Sequence, residues 1–232
     1  IIGKSGSGKT TFLRSMVQDF PQLQMEMVYN NKIINQKDDF VKEHIAYVDQ
    51  LGSYFPNMSI KQHFSFYAQM KDEKIEESEI ERLLNQVNLH HINIKKSPSV
   101  LSIGERKRFL IALALYCDKD IIILDEPTAG QDYRVYTEIM TFLDHLNKEY
   151  GITILFITHD MHLAIEYTDR AIVFSEGTCI GDDRVFKILR DEDIIQRAHL
   201  KQTSLFTLAK RIGLPCDAFN QHFIEHERMN RH

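Results

Sequence analysis

Eight residues near the front of the chain, Gly3-Lys4-Ser5-Gly6-Ser7-Gly8-Lys9-Thr10, constrain its fold more than any other stretch. They fit the pattern G-x-x-x-x-G-K-[ST], in which a strand turns into a helix through a loop whose backbone N–H groups converge on phosphate oxygens. Glycines there adopt positive φ and bring the backbone close without a Cβ clash. Lys9 supplies a point charge for the β/γ-phosphates, and the Thr10 hydroxyl is placed to hold Mg²⁺. A helix from Thr10 adds the positive end of its dipole. Ile1-Ile2 reads as the tail of the buried strand ahead of the loop.

The rest of the chain alternates strand and helix patterns. "HIAYVDQ" (44–50), "IIILDEP" (121–127), "ITILFIT" (152–158) and "RAIVFSEG" (170–177) read as buried strands. A helix is expected from Thr10 to Phe20, stopped by Pro21. "SIKQHFSFYAQM" and "EKIEESEIERLLNQV" suggest a helical segment inserted between strands. From about Val185 the chain turns helical and stays so, with Pro215 in the first turn of the last helix. This order predicts an α/β fold around a parallel sheet.

Charge and composition exclude some classes. With 28 basic against 33 acidic residues the net charge is −5, which gives no nucleic-acid footprint and no electrostatic membrane anchor. Apolar runs such as "FLIALALYC" are far too short to span a bilayer. Cys117, Cys179 and Cys216 are scattered without metal spacing and read as reduced thiols of a cytosolic protein.

Three further stretches carry chemistry. In "IIILDEP", Asp125 and Glu126 emerge at the carboxyl end of a buried strand, the edge where open α/β sheets place ligands. Adjacent acids there divide labour: Asp125 joins the Mg²⁺ shell and Glu126 polarises a water as base. His159 in "ITHD" ends the next strand and is placed to bond a γ-phosphate. In "LSIGERKRF", Ser102 and Glu105 form a capping box, and a helix N-terminus with the Ser102 hydroxyl and the Gly104 N–H is an anion site. With the first loop binding the chain's own nucleotide, that second site serves a nucleotide on another subunit.

In these motifs and their order the chain resembles the nucleotide-binding domains of ABC transporters. The resemblance covers roughly residues 1 to 180. It implies a P-loop NTPase with a RecA-like core at 1–50 and 116–184, and an inserted helical subdomain at about 51–115. Gly3, Ser5, Gly6, Ser7, Gly8, Lys9, Thr10 and Thr11 would line the phosphates of ATP as the Walker A loop. "ILDEP" matches Walker B, with Asp125 on Mg²⁺ beside Thr10 and Gln50, and Glu126 as the catalytic glutamate. Gln50 matches the Q-loop, which touches Mg²⁺ and senses a transmembrane partner. "LSIGE" matches the LSGGQ signature, with Ser102, Gly104 and Glu105 facing the partner's ATP. Asp132 in "AGQD" stands at the D-loop and His159 at the switch histidine. Ile103 and Glu105 depart from the signature pattern.

The family also places a β-subdomain and an adenine-stacking aromatic ahead of the Walker A loop, which makes this chain resemble a domain cut off at its front. The tail, residues 185–232, resembles the helical extension of ATPases in energy-coupling-factor importers of vitamins or metal ions, especially the second half of tandem ATPases. The implied partners are a second ABC ATPase domain and a transmembrane coupling protein, with the chain on the cytoplasmic face of the membrane. The contrasting class is a soluble ABC ATPase acting on DNA or ribosomes. The Walker A to Walker B interval lacks the sustained heptads that DNA-repair members carry. A P-loop kinase has no use for "LSIGE" or His159. "HFIEH" (222–226) fits a metalloprotease helix pattern, but its charged surroundings and missing third ligand argue against zinc. His90-His91 reads as a surface loop.

Overall fold

A computed structural model describes residues 1–17, 26–29, 31–34, 39–129 and 133–230, without the side chains of 217 and 227–230. The chain divides into two compact units, Thr10–Phe156 on one hand and Ile1–Lys9 with Ile157–His232 on the other.

The larger unit opens with α1 (Lys9–Val17). The remainder of the helix expected to reach Phe20, and its stop at Pro21, lie outside the described residues. β1 (Met27–Tyr29) and β2 (Lys32–Ile34) form an antiparallel hairpin that the hydrophobic pattern did not announce. α2 (Asp39–His44) runs directly into β3 (Ile45–Val48). Then come α3 (Ile60–Met70), α4 (Glu77–Gln86) and α5 (Ile103–Tyr116), followed by β4 (Ile121–Asp125), α6 (Tyr133–Tyr150) and β5 (Thr153–Ile157).

β4 is the middle strand of the order β3-β4-β5 and pairs in parallel with β3, Ile45 opposite Ile121 and Val48 opposite Leu124. Parallel neighbours need a long crossover, and the α3–α5 segment supplies it. Ile122, Ile123 and Leu124 are fully buried, as a strand covered on both faces must be. The crossover helices have a core of their own. Ile60 and Phe64 on α3, Leu83 and Leu84 on α4, and Phe109 and Leu113 on α5 pack into one cluster. Each such side chain contributes about 1.5–3 kcal/mol on burial, enough for short helices to hold together. Capping boxes start two of them, Ser59 with Gln62 at α3 and Ser102 with Glu105 at α5.

In the smaller unit Ile2 is the strand tail that its apolar character predicts. It bridges in parallel to Thr158 on one side and Val173 on the other, and is 1% exposed. α7 (Met161–Tyr167) leads to β6 (Arg170–Ser175) and β7 (Thr178–Arg184). These two strands are antiparallel, a hairpin in addition to the parallel β3–β4 pairing. β7 itself escapes sequence reading because its residues are mostly exposed and polar. Its one local sign is the turn: Glu176 and Gly177 both have positive φ (49° and 77°), the conformation of a tight hairpin. α8 (Val185–Arg190), α9 (Glu192–Arg197), α10 (Ser204–Ile212) and α11 (Cys216–Asn230) complete the unit, helical from Val185 as expected. Pro215 lies one residue before α11. The exposed His222 pairs with Glu225 at 3.8 Å.

Candidate functional site

The smaller unit holds the glycine-rich loop. A Cβ on Gly3 would lie 2.3 Å from the Phe174 carbonyl oxygen, a distance that leaves no room for any side chain. Gly8 has φ +99°, which strains every residue but glycine. The loop closes through the Ser7 N–H to the Lys4 carbonyl (3.1 Å), and the Gly177 N–H at the β6–β7 turn donates to the Ser7 carbonyl (3.0 Å). Lys9 is 6% exposed, and its ammonium donates to the carbonyls of Gly3 and Lys4, 2.8 Å each, and to Ser7 Oγ at 3.4 Å. The cation is thus desolvated and held against the loop. Ser5 and Gly6 are exposed at its tip.

His159 belongs to the same unit and is exposed. It directly follows Thr158, whose N–H donates to the Ile1 carbonyl at 3.0 Å. Asp160 next to it caps α7 by accepting from the N–H groups of His162 and Leu163.

In the larger unit four of the expected residues meet in pairs. Thr10 Oγ1 donates to Asp125 Oδ1 at 3.3 Å, and Gln50 Nε2 donates to Glu126 Oε2 at 3.2 Å. Thr11 is exposed beside Thr10 on the first turn of α1. The two carboxylates differ in setting. Asp125 is 4% exposed, whereas Glu126 is half-buried. Glu126 also has φ +48°, a left-handed conformation that costs a non-glycine residue on the order of 1–3 kcal/mol. Asp132 lies outside the described residues.

Sequence reasoning missed two residues that touch these acids. Tyr47 OH donates to Asp125 Oδ2 at 3.3 Å and accepts from Arg14 Nε at 3.5 Å. Burial pushes the Tyr47 phenol above its usual range, the Arg14 hydrogen bond working against it. Lys107 is fully buried on α5, and its ammonium donates to the backbone carbonyls of Glu126 (2.7 Å) and Pro127 (3.1 Å). Burial lowers its pKa to about 8, while Glu126, Asp125 and Asp49 pull it upward. The only sequence sign of Lys107 was a cation on an otherwise apolar helix face.

Ser102, Gly104 and Glu105 form a cluster at the start of α5. The Glu105 N–H donates to Ser102 Oγ (3.2 Å), and the Ser102 N–H donates to Glu105 Oε2 (2.8 Å). The other Glu105 oxygen lies 2.9 Å from His91 Nε2, in the expected surface turn. Burial opposes ionisation of Glu105, but the Ser102 and His91 bonds outweigh it and hold the carboxyl below its usual range. Gly104 is buried, and Ser102 and Ile103 are exposed at the helix tip.

The loop with its lysine, the paired acids and the capped helix occur along the chain in the order of one known family, whose model, described as ABC transporter, matches residues 1–129. The chain belongs to the ABC transporter family. A Streptococcus agalactiae protein named as an ABC transporter ATP-binding protein is 40% identical over 98% of the chain. A Vibrio parahaemolyticus protein with the same kind of name is 34% identical over 100% of it. The chain spans 41% of the length of each of these relatives. Among solved structures, CbiO1 from Clostridium perfringens, part of the ABC transporter complex CbiONQ, matches with TM-score 0.68 and 30% identity over 84% of this chain and 80% of that one. The ATP-binding cassette MJ0796, a dimer in a post-hydrolysis state bound to ADP and Pi, matches with TM-score 0.67 and 27% identity, covering 79% and 83%. The expected α/β class, built on a parallel sheet, is that of these ABC ATPase structures. The family pattern also gives Ile103 and Glu105 their meaning as departures: Glu105 here spends its side chain on the helix cap and His91.

Proposed function

We propose that this chain is the ATP-binding and ATP-hydrolysing domain of an importer of the energy-coupling-factor type, which takes up a vitamin or a metal ion. The observation that carries the reading is the pairing of Thr10 with Asp125 beside the pairing of Gln50 with Glu126. The first pair offers only oxygen donors, the set that a hard cation such as Mg²⁺ selects. Bound there with Gln50, Mg²⁺ would neutralise charge on the β/γ-phosphates. Residues Gly3 to Thr11 would hold the phosphates, with Lys9 as the cation aimed at them. Glu126, the more open of the two acids, would accept the proton of the attacking water, and His159 would orient the γ-phosphate.

Ser102 and the N–H of Gly104 would meet the ATP of a second ABC ATPase domain, and Asp132 would serve as the D-loop residue. The dimeric MJ0796 cassette with ADP and Pi supports a paired arrangement. Relatives more than twice the length of this chain leave room for both halves in one protein. CbiO1, as part of CbiONQ, and the helices α8 to α11 support the importer class, in which this chain would work at the cytoplasmic face of the membrane. Residues 1–184 would be the ATPase domain. No described helix is long and apolar enough to cross a membrane, and docking would use a transmembrane coupling protein near Gln50. Leu51 and Met70 are each 70% exposed in the larger unit and suit such a contact.

Glu126→Gln tests the reading. ATP and Mg²⁺ binding should persist, turnover should nearly vanish, and an ATP-bound dimer should accumulate on size-exclusion chromatography. Near-normal hydrolysis would move the base to another residue, with His159 the next to test. Co-purification with a membrane protein would separate an importer from a soluble ABC ATPase.

A further inference from the structure

A lysine with no exposed surface is an expensive residue to keep, because burial costs an ammonium its hydration. Among the described residues Lys107 forms no side-chain ion pair. Its ammonium donates to two successive backbone carbonyls, Glu126 at 2.7 Å and Pro127 at 3.1 Å. Those carbonyls come directly after the point where the chain leaves β4 in a left-handed conformation, with φ +48° at Glu126. Pro127 has no N–H to offer, and the Ala129 N–H closes one turn onto the Glu126 carbonyl at 3.2 Å. Lys107 supplies a second donor to that carbonyl, reaching in from another element.

We propose that Lys107 is a positioning residue for Glu126: from the helix that begins at Ser102, it clamps the backbone of the glutamate so that the carboxylate is held in register with Gln50. The inference rests on the reading of Glu126 as the base. Its geometry also links two sites, because α5 carries the Ser102 cap five residues before Lys107 and a shift of that helix is felt at Glu126.

The test uses the full ATPase assembled with its partner domain. Lys107→Met keeps the length and apolar stem but removes both donors. We expect kcat to fall about tenfold to a hundredfold, as for a base displaced by about 1 Å, with KM and ATP affinity within twofold of wild type. Lys107→Arg restores donors and should recover part of kcat. In Lys107→Met/Glu126→Gln, the lysine change should add no further loss to that of Glu126→Gln, since the two act through one group.

An unchanged kcat in a folded Lys107→Met protein overturns the positioning role, as does a fall in ATP affinity matching the fall in kcat, or full additivity in the double variant. Normal turnover in Glu126→Gln would instead sink the base reading, which separates the two failures. Should Lys107→Met not fold, Lys107→Gln, with a shorter arm and an amide donor, is measured in its place against the same outcomes.

Discussion

The Thr10 hydroxyl donates to Asp125 Oδ1 across 3.3 Å, joining the first turn of α1 to the last residue of β4. The other oxygen of that carboxylate accepts from Tyr47, so a nearly buried acid is held at both ends.

Tyr47→Phe should show what the second bond is worth. The ring is kept, and the hydroxyl that donates to Asp125 Oδ2 and accepts from Arg14 Nε is lost. An unsatisfied buried acceptor costs about 1–3 kcal/mol, more when charged. Urea denaturation should give a lower midpoint with an unchanged slope, and Mg²⁺-dependent ATP binding should weaken severalfold. An unchanged midpoint would show that solvent or Arg14 replaces the phenol.

Lys9→Ala should lower ATP affinity at least tenfold. It removes a desolvated cation whose hydrogen bonds to charged groups are worth about 1.5–3 kcal/mol. The same change leaves the carbonyls of Gly3 and Lys4 without their donor, so the loop should also open faster to hydrogen exchange. Calorimetric titration with ATP decides the first point, and equal affinity would end the phosphate-cradle assignment.

Ser102→Arg should leave ATP binding by the lone subunit almost untouched and block hydrolysis in the assembled pair. The bulky cation would occupy the anion site at the tip of α5 and remove a cap worth about 1 kcal/mol. Mixing it with Lys9→Ala or Glu126→Gln subunits should show the defect in the site completed by the mutant helix. Full activity of the pair would reduce Ser102 to a cap.

Lys107 should contribute a stability term that rises with pH in the alkaline range. Its folded pKa of about 8 lies below the ordinary lysine value of 10.5. Between those values Lys107 binds more protons in the unfolded chain than in the folded one, so its contribution to the unfolding free energy climbs by up to about 1.4 kcal/mol per pH unit. Below about pH 8 both states are protonated and the cost of burial is constant. Subtracting a Lys107→Met series from wild type isolates the slope, and parallel curves from pH 8 to 10 would show that the ammonium is not destabilised by burial.

What the chain wrote locally was legible before any coordinates. Gly3 and Gly8 announced backbone that no side chain permits, Ile121–Leu124 announced a strand covered on both faces, and Ser102 with Glu105 announced a helix start three residues apart. Each of these is coded within a few residues by sterics, hydrophobic period or a short hydrogen bond, so it survives reading one stretch at a time. β7 is not legible because a polar, exposed strand carries no period, and the β1–β2 hairpin because strands of three residues are too short to show one. Pairings across the fold were decided only in three dimensions. Thr10 finds Asp125 over 115 residues, Gln50 finds Glu126 over 76, and Lys107 reaches the carbonyls of the very turn it faces. Backbone carbonyls have no sequence signature, since every residue has one. Which of them a buried cation must satisfy is set by helix packing and strand register, and those emerge from the sum of many contacts, no single one of which is spelled out in the chain.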